Sequence, residues 1–136
     1  MSYIVRDWMT TPIIVIDDST TVTHAMTLMR RRNIHSLLVD TSESGKVSHG
    51  IVTTTDIRDK IVAAGRDPAQ TTVGEIMTTP VHTAQSTWTL QQCAERMYAL
   101  GIRHLPVLDA DGTIIGMISQ TDIFSAVEEA GWEALG

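Results

Sequence analysis

Hydrophobic and polar positions along this chain alternate between two regimes. Short apolar or β-branched runs at residues 13–16, 37–39 and 47–53 have counterparts at 81–83, 105–108 and 114–119. Each reads as a strand bounded by turn-forming residues. Between the first and second run of each set the period becomes helical. Val22, Ala25, Met26 and Met29 fall at i, i+3, i+4 and i+7, and Leu90, Cys93, Ala94 and Met97 do the same, so each helix is expected to bury one stripe. Asn33 and Gly101 stand just past these helices, and both residue types enter the left-handed conformation cheaply. Ser44 with Gly45, and Asp111 with Gly112, read as turns, and a second helix is expected near Thr55 and again near Thr121.

The element order is therefore β-α-β-β-α, twice, and the residues repeat with it. Val5, Met9, Thr10, Thr11, Pro12, Thr21, Met29, Ile34, Leu37 and Val39 all recur at an offset of 68, which makes ten identities in 35 positions. Unrelated sequence of ordinary composition gives about two. Gly50, Thr55, Asp56 and Ile57 then match Gly116, Thr121, Asp122 and Ile123 at an offset of 66, so the first copy holds two extra residues, which fall in the polar stretch 41–49. Residues 66–72, following Gly65 and containing Pro68, read as the connector. The repeats are thus 1–66 and 67–136. A half of this size buries too little surface to be comfortable alone, so the two are expected to form one fused unit. The predicted class is mixed α/β (α+β), two β-α-β-β-α repeats packed as a pseudo-twofold pair, with ligand sites in pairs.

Composition narrows the function. The 136 residues carry a net charge of -6, which disfavours nucleic acid or an anionic membrane as a partner. No apolar run approaches the roughly 20 residues needed to span a bilayer, and the N-terminus has no leader pattern, so a soluble cytoplasmic protein is expected. The single cysteine, Cys93, cannot form an internal disulfide, and its place on an apolar stripe suits the core. No Cys/His spacing suggests a metal, and no triad, P-loop or carboxylate pair suggests catalysis, so neither a metal nor an enzyme is expected. Arg30, Arg31 and Arg32 suit a helix C-terminus, and Trp132 near the acidic tail either seats against a partner chain or belongs to a frayed end.

The pieces Met9-Thr10-Thr11-Pro12 and Met77-Thr78-Thr79-Pro80, the strands after Ile34-His35-Ser36 and Ile102-Arg103-His104, and the segments 50–57 and 116–123 together resemble a tandem pair of cystathionine-β-synthase (CBS) domains, the Bateman module. The resemblance covers nearly the whole chain. It implies two adenosine sites, each shared between the copies. One would combine Thr78, Thr79, Pro80, Ile102, Arg103 and His104 with Thr53, Thr55 and Asp56. The other would combine Thr10, Thr11, Pro12, Ile34, His35 and Ser36 with Ser119, Thr121 and Asp122.

The residue types suit that role. One carboxylate can accept a hydrogen bond from each of two vicinal ribose hydroxyls, the family role at Asp56 and Asp122. Thr53, Thr55, Ser119 and Thr121 supply hydroxyls at a helix start, where free N–H groups favour an anion. Ser/Thr followed three residues later by an acidic residue is also a capping arrangement. Arg103 can fork onto phosphate where the first copy has His35, so the site with Arg103 is expected to prefer a phosphorylated nucleotide.

The expected function is a regulatory, signal-transducing module that binds AMP, ADP or ATP and signals to an effector protein by conformational change. No cofactor is required, and a homodimer through the helices at 56–64 and 122–130 is implied. A structural dimerisation module with ligand-free clefts is the alternative.

Overall fold

The computed structural model describes residues 3–41 and 48–135. The turn expected at Ser44 and Gly45, and Val47 at the expected start of a strand, lie outside them. Two compact units divide the chain, one being Ile14–Val81 and the other joining Met1–Ile13 to His82–Gly136.

In the unit 14–81, β1 (Val15–Asp17), α2 (Val22–Arg32), β2 (Ser36–Thr41), β3 (Ser48–Thr53) and α3 (Thr54–Ile57) follow one another, and α4 (Val73–Ile76) comes after a connector. β1 runs parallel to β2, and β2 runs antiparallel to β3. The other unit holds α1 (Val5–Trp8), β4 (Ala84–Gln85), α5 (Leu90–Leu100), β5 (His104–Leu108), β6 (Ile114–Ser119) and α6 (Gln120–Ala130), with the same pairing. Each is a three-stranded sheet with helices, so the mixed α/β class is observed.

Each unit has its own core. Val22, Ala25 and Met29 of α2 pack with Leu37, Val39, Val52, Val73 and Ile76. Leu90, Cys93 and Met97 of α5 pack with Val5, Leu105, Val107 and Ile118. The stripes behave as their spacing demands, except that Met26 is 41% exposed. A step of about 100° from fully buried Ala25 carries Met26 off the face that meets the sheet. Thr21 and Thr89 cap the two helices at their N-termini, and Asn33 and Gly101 close them with φ of 52° and 65°.

The first strands differ from expectation. The runs at 13–16 and 81–83 begin too early, because parallel pairing starts only where Val15 meets Leu38 and where Ala84 meets Val107. The residues before them form a separate crossing segment that contains Pro12 or Pro80, both after cis peptide bonds.

That segment is exchanged between the repeats. In the unit 14–81, the opening of the second repeat lies against the first: Val73 N–H donates to Thr20 O at 2.8 Å, Gly74 N–H to Asp18 O at 2.9 Å, and Thr78 N–H to Ile51 O at 2.8 Å. In the other unit the opening of the first repeat lies against the second, Val5 N–H donating to Trp88 O at 2.9 Å and Thr10 N–H to Met117 O at 2.8 Å. The compact units are therefore offset from the repeat boundaries at residues 66 and 67. Each contains sequence from both repeats.

Candidate functional site

Antiparallel pairing positions the site residues. Ser36, which begins β2, stands opposite Thr53, which ends β3, and His104 stands opposite Ser119 in the same way. The chain then turns into a helix, and its first N–H reaches back to the paired strand: Thr54 N–H donates to His35 O at 3.0 Å, and Gln120 N–H to Arg103 O at 2.9 Å. The exchanged opening segment adds the third side. Thr78 bridges Ile51 on β3, and Thr10 bridges Met117 on β6.

Two clusters result, each inside one unit. Thr78, Thr79 and Pro80 share a unit with Ile34, His35, Ser36, Thr53, Thr55 and Asp56, while Thr10, Thr11 and Pro12 share one with Ile102, Arg103, His104, Ser119, Thr121 and Asp122. Thr78 meets Asp56 directly, as the expected grouping required. The residues before β2 and β5 depart from that grouping. Hairpin pairing ties them to the helix start of their own repeat, so Arg103 belongs with Asp122 and His35 with Asp56.

Both helix starts are capped by the Ser/Thr-x-x-Asp motif. Thr53 N–H and Oγ1–H donate to Asp56 Oδ2 at 2.9 and 3.2 Å, and Asp56 N–H donates back to Thr53 Oγ1 at 3.2 Å. Ser119 N–H and Oγ–H donate to Asp122 Oδ2 at 2.8 and 3.1 Å, and Asp122 N–H returns a bond at 3.3 Å. The capping role is therefore real, and it uses only one carboxylate oxygen of each residue.

The second oxygen separates the two clusters. Asp56 Oδ1 accepts from Thr78 Oγ1 at 3.0 Å and pairs with Lys60 Nζ at 3.0 Å. Asp122 Oδ1 has no partner among the described residues, and burial pushes the Asp122 carboxyl above its ordinary range, against the opposing Ser119 hydrogen bonds. Lys60 escaped the sequence reading. Its signal was the i, i+4 spacing from Asp56 on one helix face, where the second repeat has Ala126. Beside the second cluster, Ile102, Arg103 and Gln120 line a cleft of about 520 Å³ with Met97, Tyr98 and Ile123. Arg103 itself is exposed.

A family model described as CBS domain matches residues 5–63 and again 73–129. The chain belongs to the CBS domain family. It is 31% identical over 132 residues to the CBS domain-containing protein YhcV of Bacillus subtilis, which covers 97% of this chain and 89% of that protein. Other curated relatives are longer, and this chain spans 47% of one and 15% of another. Among solved structures it is similar to a CBS domain pair in complex with 5′-methylthioadenosine and S-adenosyl-L-methionine, with a TM-score of 0.80 and 27% identity over 96% of this chain and 99% of that one. It is also similar to CBSX2 in complex with AMP, with a TM-score of 0.71 and 25% identity over 95% and 98%. No helix among the described residues of this CBS pair is long and apolar enough to cross a membrane.

Proposed function

We propose that this CBS pair is a regulatory sensor that binds an adenosine-containing nucleotide of the AMP, ADP or ATP type and passes its state to an effector protein by a conformational change. The observation that carries the reading is that, in each unit, three segments from both repeats meet around a helix start that bears an aspartate, Thr78 bonding Asp56 in one and Thr10 bridging Met117 in the other. A carboxylate beside hydroxyls and helical N–H groups can accept from ribose hydroxyls while an anion sits at the helix end. The adenosyl compounds held by two similar CBS structures support the same ligand class.

The sensor is a non-catalytic cytoplasmic protein on this reading, and it needs no cofactor. It works only if the ligand prefers one of two conformations, so coupling of roughly 1–3 kcal/mol is what such a device can deliver. Self-association belongs to the same proposal. Val62 after α3 and Phe124 on α6 are 70% and 67% exposed, apolar side chains suited to a homodimer contact.

Thermal unfolding with AMP, ADP, ATP, adenosine and S-adenosylmethionine tests the ligand reading. A ligand at 100 times its dissociation constant adds about 2.7 kcal/mol to stability. A shift with at least one of these compounds is expected, and none with any of them favours a structural dimerisation module instead.

A further inference from the structure

The pseudo-equivalent carboxylates Asp56 and Asp122 are not equally available. A carboxylate offers about four acceptor positions. Asp56 uses all of them: Oδ2 accepts from Thr53 N–H and Oγ1–H, and Oδ1 accepts from Thr78 Oγ1 and pairs with Lys60 Nζ. The residue is 7% exposed, so water has little access to displace these partners. Among the described residues Asp122 uses two positions, both on Oδ2.

Lys60 is held from two sides. Besides Asp56, its ammonium donates to Ile76 O at 2.7 Å. Ile76 is the last residue of α4, where helical carbonyls lack intrahelical partners, so the lysine satisfies a carbonyl and a buried charge at once. A ribose hydroxyl entering at Asp56 Oδ1 would displace that ammonium, leaving the buried carboxylate without its countercharge and the Ile76 carbonyl without its donor. At Asp122 the position of Lys60 is taken by Ala126, which is fully buried and carries no donor. The hydroxyl corresponding to Thr78 is that of Thr10, whose backbone makes the same bridge, but no bond from its side chain to Asp122 is found among the described residues.

The helices that follow differ as well. α6 is regular over its eleven residues, so its axial dipole is directed at the Asp122 cluster, whereas α3 gives way after Ile57 to wider i→i+5 bonding over Arg58–Val62.

We propose that Lys60 is an internal plug that fills the ribose-binding position at Asp56, so that the chain takes one adenosyl ligand, at the Asp122 cluster with Thr10 and Arg103. This rests on the adenosyl reading above and decides its stoichiometry and place. Lys60→Met keeps the apolar stem and removes the ammonium, which opens the Asp56 position.

Calorimetric titration of the full chain with AMP tests the plug. The expected result is one AMP per wild-type chain, binding weakened about tenfold or more by Asp122→Asn, and a second binding event in Lys60→Met. Asparagine keeps an acceptor for the cap, and Lys60→Gln serves as a second opening variant if the methionine protein does not fold. Two AMP per wild-type chain, wild-type affinity in Asp122→Asn, or no second binding event in a folded Lys60→Met or Lys60→Gln protein overturns the plug while leaving the adenosyl reading standing. No binding of AMP, adenosine or S-adenosylmethionine to wild type, Lys60→Met or Lys60→Gln overturns both.

Discussion

Arg103 and Gln120 are joined through their backbones, the Gln120 N–H donating to the Arg103 carbonyl at 2.9 Å. The bond holds an exposed guanidinium beside the first turn of α6 and in the same unit as Asp122. Charge-assisted hydrogen bonds contribute about 1.5–3 kcal/mol, and each 1.4 kcal/mol is about tenfold in affinity. Arg103→Ala is therefore expected to weaken AMP by about 10- to 100-fold and to leave adenosine nearly unchanged. Titrations with both ligands check this, and equal losses would remove the phosphate role.

Gly50 and Gly116 occupy matching strand positions for a steric reason. A Cβ on Gly116 would lie 2.8 Å from Met9 Sδ and 3.0 Å from Thr10 O, while one on Gly50 would lie 2.5 Å from Met77 Sδ and 3.2 Å from Thr79 Cγ2. Side chains can swing aside, but the Thr10 carbonyl belongs to a residue whose N–H and C=O are both bonded to Met117, and it cannot. Gly116→Ala should cost about 1–3 kcal/mol and should exceed the cost of Gly50→Ala in denaturant titrations. Wild-type stability in both variants would contradict the close approach of the opening segments.

The raised carboxyl of Asp122 has a definite sign in the pH dependence of stability. Burial favours its neutral form in the folded state, so the folded protein holds the proton to higher pH than the unfolded chain does. Its contribution is present at low pH and is lost as pH rises above the ordinary aspartate value of 3.8 toward the folded value. Asp122→Asn should gain stability relative to wild type across that rise. Melting temperatures of both proteins between about pH 3.5 and 6 give the difference, and a flat or falling difference would contradict the assignment.

Cys93 is fully buried in the core, and burial pushes its thiol up to about 11, with Asp122 adding a smaller push. At pH 8 about one thiol in a thousand would be ionised, so a thiol reagent should not modify the native protein at a useful rate. Labelling that becomes complete only in denaturant is the expected result. Rapid native labelling would place Cys93 outside the core.

Much of this architecture is legible in the sequence because it depends on near neighbours. The stripes Val22-Ala25-Met29 and Leu90-Cys93-Met97 follow from the helical period, and the left-handed caps at Asn33 and Gly101 follow from what those residues tolerate. The capping arrangement at Thr53-x-x-Asp56 and Ser119-x-x-Asp122 needs only a spacing of three. The apolar runs 13–16 and 81–83 begin ahead of the paired strands because apolar character does not say where a partner strand begins. Nothing local marks Met26 as the exposed member of its stripe.

By itself, then, the sequence determined the doubled β-α-β-β-α order, the two helix-start aspartates and the family, since periodicity, capping and repetition are written in short spacings. Tertiary structure decided which segments meet. Thr78 reaches Asp56 across 22 positions because the opening of the second repeat lies on β3, and Arg103 joins the Asp122 cluster because β5 pairs with β6. The same three-dimensional placement set Lys60 between Asp56 and Ile76, and so made two carboxylates with one motif chemically different. Hydrogen-bonding capacity is finite and is consumed by whichever groups the fold brings close, which no one-dimensional pattern records.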